Sequence, residues 1–165
     1  MAIEVYDENK LRELSEEDRL VVCERILKNE SDESKRWDAV WLLGEIAENR
    51  TSGDPIFEKI ADIMEWSLKN DSNGVVKHEV CYQIAGRNMK SKIPALVDAA
   101  LNDKSVLTKH EALESLGLMR AFHVADMIRD AEVDPSIDVR ETARFVLKRF
   151  ERLKDQGEYQ PSNIL

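Results

Sequence analysis

The chain contains three histidines, and two of them are followed directly by glutamate, in Lys77-His78-Glu79 and Lys109-His110-Glu111. Imidazole nitrogens and carboxylate oxygens together are the donor set of zinc, iron and manganese centres. Two imidazoles on neighbouring helices can converge on one ion, with metal–nitrogen bonds of about 2.0–2.1 Å for a metal such as zinc. A single Lys-His-Glu reads more simply as a solvated salt-bridge face. Two of them in one structural slot make metal binding the stronger reading. His123 falls outside that slot and reads as a structural residue.

The slot is defined by four segments that align without gaps: Arg36 to Gly44 (RWDAVWLLG), Lys77 to Ala85 (KHEVCYQIA), Lys109 to Gly117 (KHEALESLG) and Arg140 to Lys148 (RETARFVLK). Their second residues, Trp37, His78, His110 and Glu141, serve as anchors. Two positions later stand Ala39, Val80, Ala112 and Ala143, and six positions later Leu43, Ile84, Leu116 and Leu147. That spacing puts both sets on one helical face, the face expected to enter the core. Five positions before the anchors stand Asp32, Asn73, Ser105 and Ser136. All four are preferred N-cap residues, whose side chains accept from the free N–H groups of a first helical turn.

Between these helices lie second helical segments at roughly 16–28, 54–69, 91–102 and 121–131, with Ser15 opening the first and Asp54-Pro55 acting as N-cap and first helical residue of the second. The chain thus reads as an all-α, HEAT-like solenoid of about four helical hairpins in one domain over residues 1–154. Residues 155–165 read as a flexible tail. The longer first interval is a loop insertion from Glu48 to Gly53. If the small and aliphatic stripe faces inward, the anchors and their successors project into the groove lined by the anchored helices.

Composition supports this. Aromatics are 6% of 165 residues and there are 6 glycines and 4 prolines, which leaves little material for strands and tight hairpins. A net charge of −9 disfavours nucleic acid and anionic membranes and suits a cationic partner. Cys23 and Cys81 sit among apolar helical neighbours and read as buried, reduced thiols. The start MAIEVYDENK carries no basic, apolar leader and no run approaches a membrane span, so a cytoplasmic location is expected. Gly-rich phosphate loops, a Ser-His-Asp order, CxxC pairs and basic helices are absent from the sequence.

From Val75 to Leu153 the residues resemble one half of the deoxyhypusine hydroxylases, HEAT-repeat di-iron enzymes, in KHEVCYQIAGRNMKSKIPALVDAALND, KHEALESLG and VRETARFVLKRFERL. Tyr82, four residues after His78, and Ile93-Pro94 at the start of an outer helix are part of the match. The resemblance implies hydroxylation of a modified lysine on a translation factor, with O₂ as co-substrate at two irons. It implies that His78, His110 and Glu111 are iron ligands and that Glu79 faces the substrate amine. Those enzymes have two such halves and this sequence has one, so two irons are expected to be shared by a homodimer of facing grooves. Ala85 stands where glycine is usual, and Arg87 where an apolar residue is usual.

Expected partners are therefore a second copy of the chain and a cationic small molecule or lysine-bearing protein. Trp37 and Trp41 either wall the substrate pocket, offering their faces to a cation, or pack against the Glu48–Gly53 insertion. Trp66 reads as core. Two other functions compete with the oxygenase: a non-enzymatic scaffold binding a basic peptide along the groove, and a hydrolytic zinc or manganese centre.

Overall fold

A computed structural model describes residues 8–158; residues 1–7 and 159–165, which include most of the expected tail, lie outside the described residues. The helices run α1 (Glu8–Arg12), α2 (Glu16–Asn29), α3 (Glu33–Ala47), α4 (Pro55–Asn70), α5 (Gly74–Gly86), α6 (Ile93–Asn102), α7 (Val106–Leu118), α8 (Ala125–Arg129) and α9 (Ile137–Leu153). The anchored helices α3, α5, α7 and α9 pack successively against one another as one layer, and α2, α4, α6 and α8 form the other. This is the all-α HEAT-like solenoid. One apolar core runs from Leu11 to Phe150, and Cys23 and Cys81 are free and buried in it. Among the described residues, no helix is long and apolar enough to cross a membrane.

Capping explains where the helices start. Asp32 accepts from Ser34 N–H, Asn73 from Val75 and Val76, Ser105 from Thr108, Ser15 from Asp18, and Asp54 from Ile56 and Phe57. Ser136 departs from expectation: it occupies the N-cap of α9, but its side chain makes no capping bond. There Asp134 takes over locally, its Oδ1 accepting from Ser136 N–H at 2.9 Å. Helices α5 and α7 end on Asn88 (φ 55°) and Arg120 (φ 52°), left-handed residues at the same repeat position. Met89 N–H then reaches back to Ile84 O (2.9 Å) and Ala121 N–H to Leu116 O (3.1 Å), which closes the orphan carbonyls without glycine.

The core stripe holds in α3, α5 and α7, where Ala39, Leu43, Val80, Ile84, Ala112 and Leu116 are all inaccessible. In α9, Leu147 is only partly buried, and Val146, one residue earlier, takes the interior place with Val139, Ala143 and Phe150. The fourth outer segment, expected as one helix, is broken into 3-10 turns at Phe122–Val124 and Asp130–Val133 around the short α8. His123 lies exposed in the first of these turns. Trp66 is half buried rather than core, with the Lys28 ammonium 5.3 Å above its ring.

The repeats are held in register by a buried ladder of ion pairs. The basic residue before each anchor reaches the aspartate that lies just ahead of the next anchored helix. Arg36 donates to both Asp71 oxygens (2.8 and 3.1 Å) and Lys77 to both Asp103 oxygens (2.8 and 2.9 Å), and Lys109 pairs with Asp134. The same aspartates accept the backbone N–H of Asn73, Ser105 and Ser136, so one side chain fixes both the loop and the spacing between neighbours. Because Lys77 and Lys109 are tied this way, the adjacent histidines are carried into alignment.

Candidate metal and amine site

In two successive repeats the histidine anchor meets the successor residue of the next repeat. His78 Nε2 on α5 lies 3.0 Å from Glu111 Oε2 on α7, and His110 Nδ1 on α7 lies 2.8 Å from Thr142 Oγ1 on α9. A residue one position past the anchor is turned about 100° around its helix, enough to face the preceding inner helix. His78 and His110 keep about one third of their side-chain surface exposed, while Glu111 keeps 15%.

Glu79, expected to project into the groove, is buried at 7% exposed. Gln83 Nε2, one turn on in α5, donates to its Oε1 at 3.0 Å. The amide is oriented from behind, because Arg87 Nε donates to Gln83 Oε1 at 3.2 Å. Arg87 thus anchors a relay that ends on Glu79. The relay needs Gly44: a Cβ built there would lie 2.0 Å from Gln83 Oε1. Gly44→Ala is expected to expel Gln83 and cost a net ~1–2 kcal/mol, since overpacking a buried site (~1–3 kcal/mol) outweighs the gain of up to ~1 kcal/mol from helix propensity. Chemical denaturation of Gly44→Ala beside Gly44→Ala/Gln83→Ala checks it, with the double variant recovering most of the loss.

Electrostatically the cluster is short of positive charge. Burial pushes the Glu111 carboxyl up to about 7, with the neighbouring Glu114 and Glu79 adding to the effect. Burial also raises Glu79, opposed by Gln83 and Arg87. His78 is held below the usual imidazole range by burial first and by the nearby His110 second. A buried carboxyl pushed toward neutrality beside two imidazoles is a poised arrangement typical of functional sites.

Two imidazoles with two carboxylates suit iron chemically. Among the described residues no three His, Cys, Asp or Glu side chains already form a metal cage. Instead His78 Nε2 and Glu111 Oε2 close on one another at 3.0 Å, and His110 Nδ1 meets Thr142 Oγ1. A cation bound there would favour the deprotonated carboxylate, the exchange expected when ligands must deprotonate. Trp37 and Trp41 stack with their ring centroids 6.3 Å apart and their planes within 6°. Arg12 chiefly, and Trp41 in part, hold the Glu45 carboxyl below its usual range, so Trp41 is engaged on that side of α3.

The signal that sequence reasoning missed is the successor slot of α9. Thr142 occupies the place beside His110 that Glu111 occupies beside His78, and the gap-free alignment of the four segments already paired them.

The chain is similar to deoxyhypusine hydroxylases. It is 30% identical to that of Arabidopsis thaliana over 137 residues, 81% of this chain and 40% of the relative. It is 34% identical over 102 residues to that of Danio rerio (59% of this chain, 33% of the relative) and 32% identical over 89 residues to that of Gallus gallus (53% and 30%). The structure of human deoxyhypusine hydroxylase in complex with glycerol superposes with a TM-score of 0.71, covering 87% of this chain and 47% of that one at 23% identity, which shows the shared fold. No family model matches. The chain therefore spans less than half the length of these relatives, in agreement with the half-length resemblance read from its residues.

Proposed function

With kinship to part of the deoxyhypusine hydroxylases as the premise, we propose that this chain is a metal-dependent hydroxylase acting on a cationic, lysine-derived side chain. The observation that carries the reading is the contact of His78 with Glu111, joined through shared electrostatics to His110 and Glu79. In this reading His78, His110 and Glu111 hold iron, two nitrogens and one carboxylate leaving positions for other ligands. Iron, when bound, would supply the activation of O₂, one oxygen atom replacing a C–H hydrogen as hydroxyl and the other leaving as water with two electrons from an external reductant.

The protein's own contributions are positional. Glu79, fixed by the Gln83–Arg87 relay, offers its carboxylate to the substrate ammonium through a charge-assisted hydrogen bond. An ammonium placed between Glu79 and Glu111 would also favour the charged form of both, which desolvation otherwise opposes. In this reading the stacked Trp37 and Trp41 of α3 would offer ring faces to the cationic substrate. A second copy of the chain, facing the first across a two-fold axis, brings the second set of ligands, so that a dimer shares two ions.

Iron content and molar mass measured together test this reading. After anaerobic loading with ferrous iron, the chain is expected to hold about one iron per protomer and to run as a dimer by light scattering. A protein that takes up no transition metal after such loading contradicts it.

A further inference from the structure

We propose that Thr142 is a positioning residue that fixes His110 as the Nδ1–H tautomer and so leaves Nε2 as the nitrogen with a free lone pair. Thr142 has a single hydroxyl hydrogen, and Oγ1 donates it to the Asp138 carbonyl one turn back in α9, at 2.8 Å. What the same oxygen presents to His110 Nδ1, 2.8 Å away, is therefore a lone pair. A neutral imidazole can meet it only by carrying its hydrogen on Nδ1. Asp138 Oδ1, 3.6 Å from that nitrogen, adds a second acceptor on the same side and favours the same tautomer.

Thr142 is 6% exposed, so water does not readily take its place. An isolated histidine side chain in water prefers its hydrogen on Nε2, so the fold reverses the intrinsic preference. The two histidines are consequently unequal. His78 turns Nε2 to the carboxylate of Glu111, whereas in the equivalent slot His110 meets a hydroxyl through Nδ1. A neighbour that binds one ring nitrogen decides which nitrogen is open to a metal. The ligand role of His110 rests on the function proposed above; the tautomer does not.

Long-range proton–nitrogen correlation spectra of isotope-labelled histidine in the metal-free protein, at alkaline pH, read the tautomer directly. Wild type and Thr142→Ser are expected to show Nδ1–H at His110, and Thr142→Val to show growth of Nε2–H. Ferrous iron affinity is expected to fall about 10- to 100-fold in Thr142→Val and to be largely restored in Thr142→Ser. An Nε2–H wild type overturns the relay whatever the metal does, and it decides the matter even if Thr142→Val fails to fold. Unchanged tautomer and affinity in a folded Thr142→Val also overturn it. A wild type with the Nδ1–H tautomer that binds no iron retains the relay and contradicts only the ligand role.

Discussion

Replacing His110 by alanine is expected to lower ferrous iron affinity by roughly 10²–10³-fold, while His123→Ala leaves it unchanged. The size follows from the binding free energy of a well-formed site, about 10–16 kcal/mol over four ligands for zinc, or about 2.5–4 kcal/mol for each. Loss of fold is not the cause in this account. One third of the His110 side chain is exposed, and its removal frees one lone pair of Thr142, whose hydroxyl still donates to Asp138. That change costs about 1 kcal/mol. His123 is the matched control because it is exposed in a 3-10 turn outside the anchor slots. Anaerobic titration with a competing chelator measures both variants. Equal losses in the two would mean that histidine content, and not the repeat slot, governs metal uptake.

Glu111→Gln is expected to make the metal-free protein more stable than wild type above neutrality, by up to about 3 kcal/mol. The carboxyl stands at about 7 in the folded protein against a model value of 4.5. A group raised on folding binds more protons in the folded state between these values. Its contribution is therefore fully present below pH 4.5 and lost as pH rises toward about 7. Glutamine keeps the shape and an acceptor for His78 but cannot ionise. The depressed His78 acts in the opposite direction, losing stability as pH falls below the imidazole range, and it is present in both proteins. Urea denaturation of both across the acid-to-neutral range should show the gap open with rising pH. A variant less stable than wild type at about pH 8 would show that the charged Glu111 is favourable in the metal-free fold.

The parts of this fold legible in the sequence were those set by neighbours along one helix. Asp32, Asn73 and Ser105 cap because a short polar side chain can reach N–H groups two or three residues on. Ala112 and Leu116 mark a core face because four residues make about one turn. Helix ends were harder to see, since Asn88 and Arg120 take the left-handed conformation without the glycine that announces it. The break around α8 and the exchange of Leu147 for Val146 depend on packing between helices.

The site divides along the same line. That His78 and His110 share a face followed from their spacing alone. That Glu111 turns to His78, Thr142 to His110, and Glu79 inward to Gln83 depends on contacts between residues on different helices or on room left by another helix. Gly44 shows the limit well: it reads as a helical glycine of no consequence until α3 meets α5 and the Gln83 amide fills its missing side chain.

The most direct test of the account is the origin of the oxygen in the product. Iron-loaded protein is incubated with a reductant, a peptide bearing a lysine-derived amine side chain, and O₂ labelled with heavy oxygen, and the peptide is read by mass spectrometry. The account predicts gain of one labelled oxygen atom on the amine-bearing side chain, abolished in His110→Ala and strongly reduced in Glu79→Gln. An iron-loaded wild type that leaves the peptide unchanged, or that installs oxygen from water, would contradict it.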